Sequence, residues 1–256
     1  MKISIIQPVI LWEDKAGNLS HLDDLILPLH NKTDIVILPE MFNTGFSMDT
    51  KKLHEPLNGP TFQWMKETAE RGNFGLCGSY IISGDNSFFN RFVFVSPNNE
   101  FWHYDKRHLF SMAGEDKFFS SGKSKLVFSF RGLRISPFIC YDLRFPVWSR
   151  NRNDYDLAIY VASWPHVRIS VWETLLKARA IENQCYVAGA NRVGEDGNGI
   201  MHSGRSSVIN PRGEILSYAG QDECSVTADI SISELIEFRN KFPVMNDADD
   251  FEIINP

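Results

Sequence analysis

Short apolar runs typical of β-strands recur from one end of this chain to the other, and they constrain its fold more than any other feature. Turn-forming residues, such as Ser-Pro-Asn-Asn at 96–99 and Asn-Pro-Arg-Gly at 210–213, separate several runs and predict hairpins. A few longer stretches have helical periodicity instead. Together these patterns predict a sheet-on-sheet core with helices packed outside, a layered α/β sandwich. The predicted strands cover 2–7, 34–38, 75–82, 92–96, 101–104, 126–130, 134–139, 157–161, 185–190, 206–209 and 224–230, and the predicted helices cover 17–29, 61–72, 144–152 and 170–183.

The chain of 256 residues contains no repeat, low-complexity tract or linker, so we predict one domain over 1–256. Its charged residues are scattered, and the net charge of −6 comes with no basic stripe that would neutralise phosphates. Nucleic acid is therefore not an expected partner. No run approaches the about 18 apolar residues of a membrane span, and the apolar run at 2–7 is too short for a signal peptide. We expect a soluble cytoplasmic protein without membrane contact.

The chain has four cysteines, and none of them belongs to a Cys-x-x-Cys pair or has the close His or Cys neighbours that zinc needs. We therefore expect reduced thiols and no metal site. The cysteines are Cys77, Cys140, Cys185 and Cys224.

Cys140 has surroundings that differ from those of the other cysteines. The apolar run 134–139 leads directly into it, and a helix is predicted to begin a few residues later. A thiol at such a corner lies near backbone N–H groups, which lower a thiol pKa and can hold a developing oxyanion. A buried structural cysteine explains the segment equally well. Taken alone, the segment leaves both interpretations open.

Glu40 and Lys106 also follow apolar runs. Glu40 comes after the run 34–38 and Pro39, where a partly desolvated carboxylate can serve as a general base. Lys106 follows the aromatic run 101–104, so its ammonium could be held rigidly and stabilise a thiolate or an oxyanion. In isolation, a solvated loop glutamate and a surface lysine are simpler explanations. Glu115 lies in a nearby glycine-bearing loop that is either functional or merely exposed.

Taken together, these motifs resemble the Glu, Lys and Cys motifs of the nitrilase superfamily. They occur in the family's order, with Lys106 lying 66 residues after Glu40 and Cys140 lying 34 residues after Lys106. The resemblance covers nearly the whole chain, from Ile3 to about Ile230. The matching segments are Leu-Pro-Glu at 38–40, Tyr-Asp-Lys-Arg-His-Leu-Phe at 104–110, Ile-Cys-Tyr-Asp-Leu-Arg-Phe-Pro at 139–146, Ala-Ser-Trp-Pro at 162–165, and the stretches 177–184, 189–194, 203–207 and 210–214.

The resemblance implies a four-layer αββα sandwich of two mixed sheets, and a homodimer or higher homo-oligomer in which the tail from about 231 extends to a partner subunit. By the same analogy, Cys140 is the nucleophile, Glu40 the general base and Lys106 the oxyanion stabiliser. Glu115 matches a second glutamate beside this triad, and the backbone N–H of Tyr141 completes the oxyanion hole. No metal or organic cofactor is implied.

Within the superfamily, the sequence around Trp164 and over the stretch 178–194 resembles that of bacterial omega-amidases. These enzymes hydrolyse 2-oxoglutaramate or 2-oxosuccinamate to the dicarboxylate and ammonia. Three alternatives stay open. The same site could hydrolyse another amide, a carbamoyl compound or a nitrile; the protein could be a Cys–His hydrolase; or it could be a non-catalytic binding protein of the same fold. The sequence departs from related ones at Ser-Pro-Phe 136–138, where glycine is frequent.

An omega-amide acid needs a cation for its distal carboxylate. Arg168 is the first candidate, with a solvated arginine at a helix start as the alternative. Arg144 is the second candidate, although a structural ion pair explains it as well. We expect the pocket walls to include aromatic residues, with core packing as the alternative for each. These residues are Phe42, Tyr80 and Trp164.

Overall fold

The computed structural model describes residues 1–84 and 87–254 and contains two six-stranded sheets and a two-stranded ribbon. The strands are β1 (Lys2–Gln7), β2 (Ile35–Ile37), β3 (Gly75–Gly84), β4 (Ser87–Val95), β5 (Phe101–Asp105), β6 (Phe128–Phe130), β7 (Leu133–Ile139), β8 (Leu157–Ala162), β9 (Tyr186–Asn191), β10 (Val193–Glu195), β11 (Met201–Ser203), β12 (Ser207–Ile209), β13 (Ile215–Tyr218) and β14 (Cys224–Asp229). The helices are α1 (Lys15–Ile26), α2 (Thr50–Leu53), α3 (Pro60–Gly72), α4 (Pro146–Ser149), α5 (Ile169–Asn183) and α6 (Ile232–Lys241).

Both large sheets are mixed. The first has the order β14-β1-β2-β3-β4-β5, with β1, β2 and β3 parallel to one another. The second has the order β13-β12-β9-β8-β7-β6, with β7, β8 and β9 parallel. Antiparallel strands complete each sheet on both sides. The carboxyl ends of three parallel strands therefore meet at one edge of each sheet, which is where such folds place functional groups.

Alternating side chains on the strands assign the layers. Ile35 and Ile37 of β2 pack toward the second sheet, in one core cluster with β7 and β8. Val36 and Leu38 point the other way and pack with α1 and α3. The opposite face of the second sheet packs on α5 through side chains such as Leu176. This two-residue alternation makes the chain an α/β sandwich with helices outside two mixed sheets, which confirms the predicted fold class.

The stretch 144–152, predicted as a helix, is helical only over α4. A 3₁₀ turn, Cys140–Arg144, precedes it, and Pro146 begins the helix at a position where its missing N–H has no cost. The helix α6 was not predicted, although Ser231 caps it by accepting a hydrogen bond from the N–H of Glu234. That Ser-x-x-Glu spacing is a helix-start signal in the sequence.

Pro137 lies inside β7, a strand with neighbours on both sides. It faces Ile159 of the parallel strand β8. On the other side, the last residue pair with β6 is Phe128 with Ile135, so the ladder has already ended there. Proline therefore removes no hydrogen bond from that side of β7, and the strand tolerates it.

The C-terminal segment packs on its own chain. Arg239 of α6 forms an ion pair with Asp156 at 2.7 Å and donates to the carbonyl of Tyr155. Leu235 is buried against the main core, and the Gln184 side chain donates to the carbonyl of Phe242. Extension of this tail to a partner subunit stays a prediction. Within the described ranges, no helix is long and apolar enough to cross a bilayer.

Candidate active site

The three polar residues singled out in the sequence lie at strand ends on one side of the sandwich. Glu40 follows β2, Lys106 immediately follows β5, and Cys140 immediately follows β7. The first two belong to the first sheet and Cys140 to the second, so packing of the two sheets brings them together. Glu40 and Lys106 are completely buried, and the thiol of Cys140 is close enough for both to act on its pKa.

Lys106 lies between two carboxylates. Its Nζ is 2.8 Å from Oε1 of Glu40 and 2.9 Å from Oε2 of Glu115. All three side chains have no solvent exposure. Glu115 is held in turn by the N–H of Phe110 at 2.6 Å. The attraction between the cation and the two anions offsets part of the desolvation cost of burying these charges.

Two further donors on Glu40 could not be anticipated from sequence motifs. The Nδ2 of Asn90, in β4, donates to Oε1 of Glu40 at 2.8 Å and to Oε1 of Glu115 at 3.1 Å. The backbone N–H of Ser163, after β8, donates to Oε2 of Glu40 at 2.8 Å. Asn90 gives no signal in the sequence because it stands in an apolar strand far from every motif.

Cys140 has a left-handed backbone, with φ 45°, which is strained for a residue with a side chain. The buried carboxylate of Asp142 stabilises this corner by accepting the N–H of Ile139 at 3.0 Å. The same carboxylate accepts the hydroxyl of Tyr104 at 2.7 Å and the N–H of His108 at 2.9 Å, which ties the Lys106 loop to the cysteine turn. Tyr141 follows in the first turn of the 3₁₀ segment, where N–H groups lack partners within the helix.

The charges of this site favour a protonated thiol at rest. Burial raises the pKa of the Cys140 thiol well above its usual value, the Glu40 carboxylate adds to the rise, and Lys106 opposes it. Burial acts to lower the pKa of Lys106, but the carboxylates of Glu115 and Glu40 outweigh it and raise that pKa. Burial also raises the pKa of Glu115, against the opposing effect of Lys106. A thiolate therefore forms only when a neighbouring base accepts the proton.

Cys140 and Tyr141 line a cavity of about 540 Å³. Trp164 lines it as predicted, but Phe42 and Tyr80 do not. Both of these are buried in the core between the first sheet and its helices, with their ring centroids 6.0 Å apart. The wall is formed by other aromatic residues, namely Trp12, Phe46 and Phe110.

Both candidate arginines, Arg144 and Arg168, line this cavity. The Arg144 guanidinium lies 5.1 Å from the ring centroid of Trp164, and that of Arg168 lies 5.4 Å from the ring centroid of Phe110. Over residues 1–84 and 87–254, neither guanidinium forms an ion pair or a hydrogen bond. The structural ion pair considered for Arg144 is therefore absent from the described part of the chain.

The carboxylates that line the cavity are already partnered. Glu13 accepts from Ser47 at 2.7 Å and from Lys52 at 2.9 Å. Asp49 caps α2, and Asp196 accepts two N–H groups of its own turn. Burial lowers the pKa of His202, another lining residue, to about 4, so this imidazole is neutral at pH 7. Among the described lining residues, Arg144 and Arg168 are therefore the charged side chains without an ion-pair or hydrogen-bond partner.

Comparison with known proteins identifies the family to which this fold and site belong. A family profile described as carbon-nitrogen hydrolase matches residues 2–240. The omega-amidase YafV of Escherichia coli strain K12 is 44% identical over 254 residues, which cover 99% of this chain and 98% of that protein. The 2-oxoglutaramate amidase of Bacillus subtilis strain 168 is 31% identical over 250 residues, which cover 96% of each.

The crystal structure of XC1258 from Xanthomonas campestris, a CN-hydrolase superfamily protein with an arsenic adduct in its active site, superposes with a TM-score of 0.97. It is 41% identical and the match covers 99% of this chain and 98% of that one. These matches confirm the nitrilase superfamily inferred from the motifs. The chain therefore belongs to the carbon-nitrogen hydrolase family, and it is a hydrolase that acts on carbon–nitrogen bonds.

Proposed function

We propose that this chain is an omega-amidase, which hydrolyses the terminal amide of 2-oxoglutaramate or 2-oxosuccinamate to the dicarboxylate and ammonia. One observation carries the proposal. The cavity that contains Cys140 also contains two arginines, Arg144 and Arg168, that have no anionic partner in the described chain. An amide with a carboxylate at its other end would place the amide at the thiol and its charge at these arginines.

In the first half of the proposed reaction, Glu40 takes the proton of the Cys140 thiol while the sulfur attacks the amide carbon. The negative charge moves to the carbonyl oxygen, which the Lys106 ammonium and the Tyr141 N–H stabilise. A lysine has three N–H donors, so its contacts with Glu40 and Glu115 leave one for this oxygen. One good donor in such a position contributes roughly 3–4 kcal/mol.

The carbon–nitrogen bond then breaks, and Glu40 gives its proton to the departing nitrogen, which leaves as ammonia. The acyl group stays on Cys140 as a thioester. Glu40 next takes a proton from water, the resulting hydroxide attacks the thioester, and the carbon–sulfur bond breaks. The proton on Glu40 returns to the sulfur, so the sum of the two halves is amide plus water giving acid plus ammonia. Covalent catalysis divides one difficult step into two easier ones.

The names of the relatives support the substrate assignment. Proteins 44% and 31% identical over almost their whole length are an omega-amidase and a 2-oxoglutaramate amidase. The alternatives considered from sequence are other amides, carbamoyl compounds and nitriles. They share the same nucleophile, but those without a carboxylate would leave the two arginines without a role.

Ammonia release from 2-oxoglutaramate tests the proposal. Wild type should hydrolyse it much faster than butyramide, which has no carboxylate, and Cys140→Ala should be inactive. Cys224→Ala is a matched control, since Cys224 is a partly exposed free thiol that does not line the cavity. Equal rates on 2-oxoglutaramate and butyramide would reject the omega-amidase assignment, and an active Cys140→Ala would reject the mechanism.

The homo-oligomer and the cytoplasmic location implied by the resemblance are also part of this proposal. The same applies to the single domain over 1–256 with a tail that reaches a partner subunit. The family profile ends at 240, so residues 241–256 lie beyond the region that it matches.

A further inference from the structure

Arg144 and Arg168 are separated in the sequence but are held at one cavity by the same tryptophan. Arg144 is the last residue of the 3₁₀ turn that begins with Cys140, so its position is fixed relative to the nucleophile. Its guanidinium lies over the face of Trp164, 5.1 Å from the ring centroid. This stacking orients the guanidinium plane without using any of its N–H donors.

Arg168 is oriented by two contacts. Its guanidinium lies 5.4 Å from the ring centroid of Phe110, and its backbone carbonyl accepts the indole N–H of Trp164 at 2.8 Å. Trp164 itself is 3% exposed. The side chain of Asn191 accepts its backbone N–H at 2.8 Å and donates to its carbonyl at 3.1 Å. Trp164 is therefore a rigid support shared by both arginines.

We infer that Arg144 and Arg168 form a two-point clamp, positioned by Trp164, that binds the carboxylate and the adjacent 2-oxo oxygen of an α-keto acid amide. This inference rests on the proposed function and specifies how the site selects its substrate. An α-keto acid presents three oxygen acceptors at neighbouring positions. A single guanidinium satisfies two parallel acceptors, so two guanidiniums are needed to bind all three.

The remaining charges of the cavity favour this assignment over an ammonium-bearing substrate. Glu13 is paired with Lys52, and Asp49 and Asp196 accept backbone N–H groups, so each lining carboxylate among the described residues already has a donor within the chain. The corresponding α-amino acid amide would bring a cation next to two arginines. The clamp therefore distinguishes a 2-oxo acid from the amino acid with the same carbon skeleton.

Three amides of similar length separate the two contacts. 2-Oxoglutaramate has the carboxylate and the 2-oxo oxygen, glutaramate has only the carboxylate, and butyramide has neither. Arg144→Met and Arg168→Met should each raise KM for 2-oxoglutaramate by about 10- to 100-fold, the range expected for losing charge-assisted hydrogen bonds. Butyramide turnover should fall much less than 2-oxoglutaramate turnover in both variants. One of the two variants should also remove the preference for 2-oxoglutaramate over glutaramate.

Arg212→Met is the matched control, because Arg212 is an exposed arginine stacked on Phe238, 4.9 Å from its centroid, outside the cavity. It should leave all three substrates unaffected. Equal losses on butyramide and 2-oxoglutaramate in the Arg144 or Arg168 variant would show a structural role and overturn the clamp. Unchanged KM values in both would overturn it as well.

Trp164→Phe tests the shared support. Phenylalanine keeps an aromatic face for Arg144 but lacks the N–H that holds the Arg168 carbonyl. In double variants, the free-energy effect of Trp164→Phe on KM for 2-oxoglutaramate should therefore add to that of Arg144→Met. Combined with Arg168→Met, the total effect should be smaller than the sum of the two single effects. Additivity with both arginine variants would reject Trp164 as a positioning residue for Arg168.

Binding of the reaction product 2-oxoglutarate to Cys140→Ala, measured by calorimetry, separates the clamp from the reaction. The clamp requires binding that weakens about 10-fold or more when Arg144→Met or Arg168→Met is added. If this is observed while wild type does not hydrolyse 2-oxoglutaramate, the proposed reaction fails and the anion clamp stands. If wild type hydrolyses 2-oxoglutaramate but neither arginine substitution weakens the binding of 2-oxoglutarate, the clamp is rejected and the proposed reaction stands.

Discussion

Glu40 is a buried carboxylate with three donors that come from three different parts of the chain. Lys106 Nζ and Asn90 Nδ2 both lie 2.8 Å from Oε1, and the Ser163 N–H lies 2.8 Å from Oε2. These contacts fix the position of the carboxylate beside the Cys140 thiol. A carboxylate held in this way is ready to accept the thiol proton, provided that the thiol itself is protonated. The raised pKa of Cys140 meets that condition.

Glu40→Gln is expected to lower kcat by about 10²- to 10⁴-fold, the usual contribution of a general base. The amide keeps the shape of the carboxylate but cannot take a proton. Steady-state ammonia release measures the effect, with Glu67→Gln on the exposed face of α3 as the control. A rate within a factor of a few of wild type would indicate that another group, such as a histidine, deprotonates Cys140.

Asn90 holds both carboxylates of the cluster through one amide nitrogen, and it does not line the cavity. Asn90→Ala is therefore expected to lower kcat by about 10- to 100-fold, the cost of a small misplacement of catalytic groups, with little change in KM. Thermal unfolding separates this from global destabilisation. A change confined to KM, or activity loss that follows the unfolded fraction, would contradict a positioning role.

At the scale of elements, one buried carboxylate contributes to holding α6 on the second sheet. Asp156, just before β8, forms ion pairs at 2.7 Å with Arg134 of β7 and with Arg239 of α6. Burial acts to raise the pKa of Asp156, but the contacts with Arg134 outweigh it and the pKa is lowered. The C-terminal helix thus depends on a charge that exists only above the titration range of this group.

Asp156→Asn is expected to reduce the free energy of unfolding at pH 7 by about 1.5–3 kcal/mol, the contribution of hydrogen bonds to a charged group. Because the pKa of Asp156 is lower in the folded state, its stabilisation is complete above the unfolded value of about 3.9. It is lost as pH falls through the folded value. Urea unfolding should therefore show a constant difference between variants near neutrality and a shrinking one below about pH 4. A pH-independent difference would contradict this linkage.

At the scale of the molecule, exposed apolar side chains border one groove between α5 and β13. Ile215 is 50% exposed and Tyr218 is 42% exposed, and both line this groove. Ile181 of α5, 49% exposed, lies near the turn at Gly213 that leads into β13. Glu173 and Lys177 also line the groove, and exposed apolar side chains rimmed by polar ones in this way are characteristic of protein interfaces. We therefore expect this face to take part in the proposed pairing of subunits.

Ile215→Lys should shift the protein toward monomer, because it places a charge within the apolar face. Sedimentation equilibrium measures the change against twice the chain mass of 29.3 kDa expected for the wild-type dimer. Leu27→Lys, on a turn at 63% exposure outside this groove, is the control. A dimer that survives Ile215→Lys would exclude this face from the interface, and a monomeric wild type would reject the dimer itself.

The sequence by itself determined the layers of this protein, because strand alternation and helix periodicity are local properties. The unbroken apolar run Ile-Val-Ile-Leu at 35–38 already indicates that β2 is covered on both faces, as it is in the fold. Motif resemblance was sufficient to place Glu40, Lys106 and Cys140 in one site, and their surroundings in the fold agree with that placement. The Ser231 cap shows that the start of α6 could also be predicted from the local sequence.

Only the tertiary structure decided which other residues serve the site. Asn90 became a partner of Glu40 through the pairing and packing of strands, and Phe42 turned into the core while Phe46 faces the cavity. The lack of ion-pair partners for Arg144 and Arg168 in the described chain likewise depends on which carboxylates fold near them. Such contacts join residues far apart in sequence, and their geometry exists only after two sheets have packed at a particular angle and register.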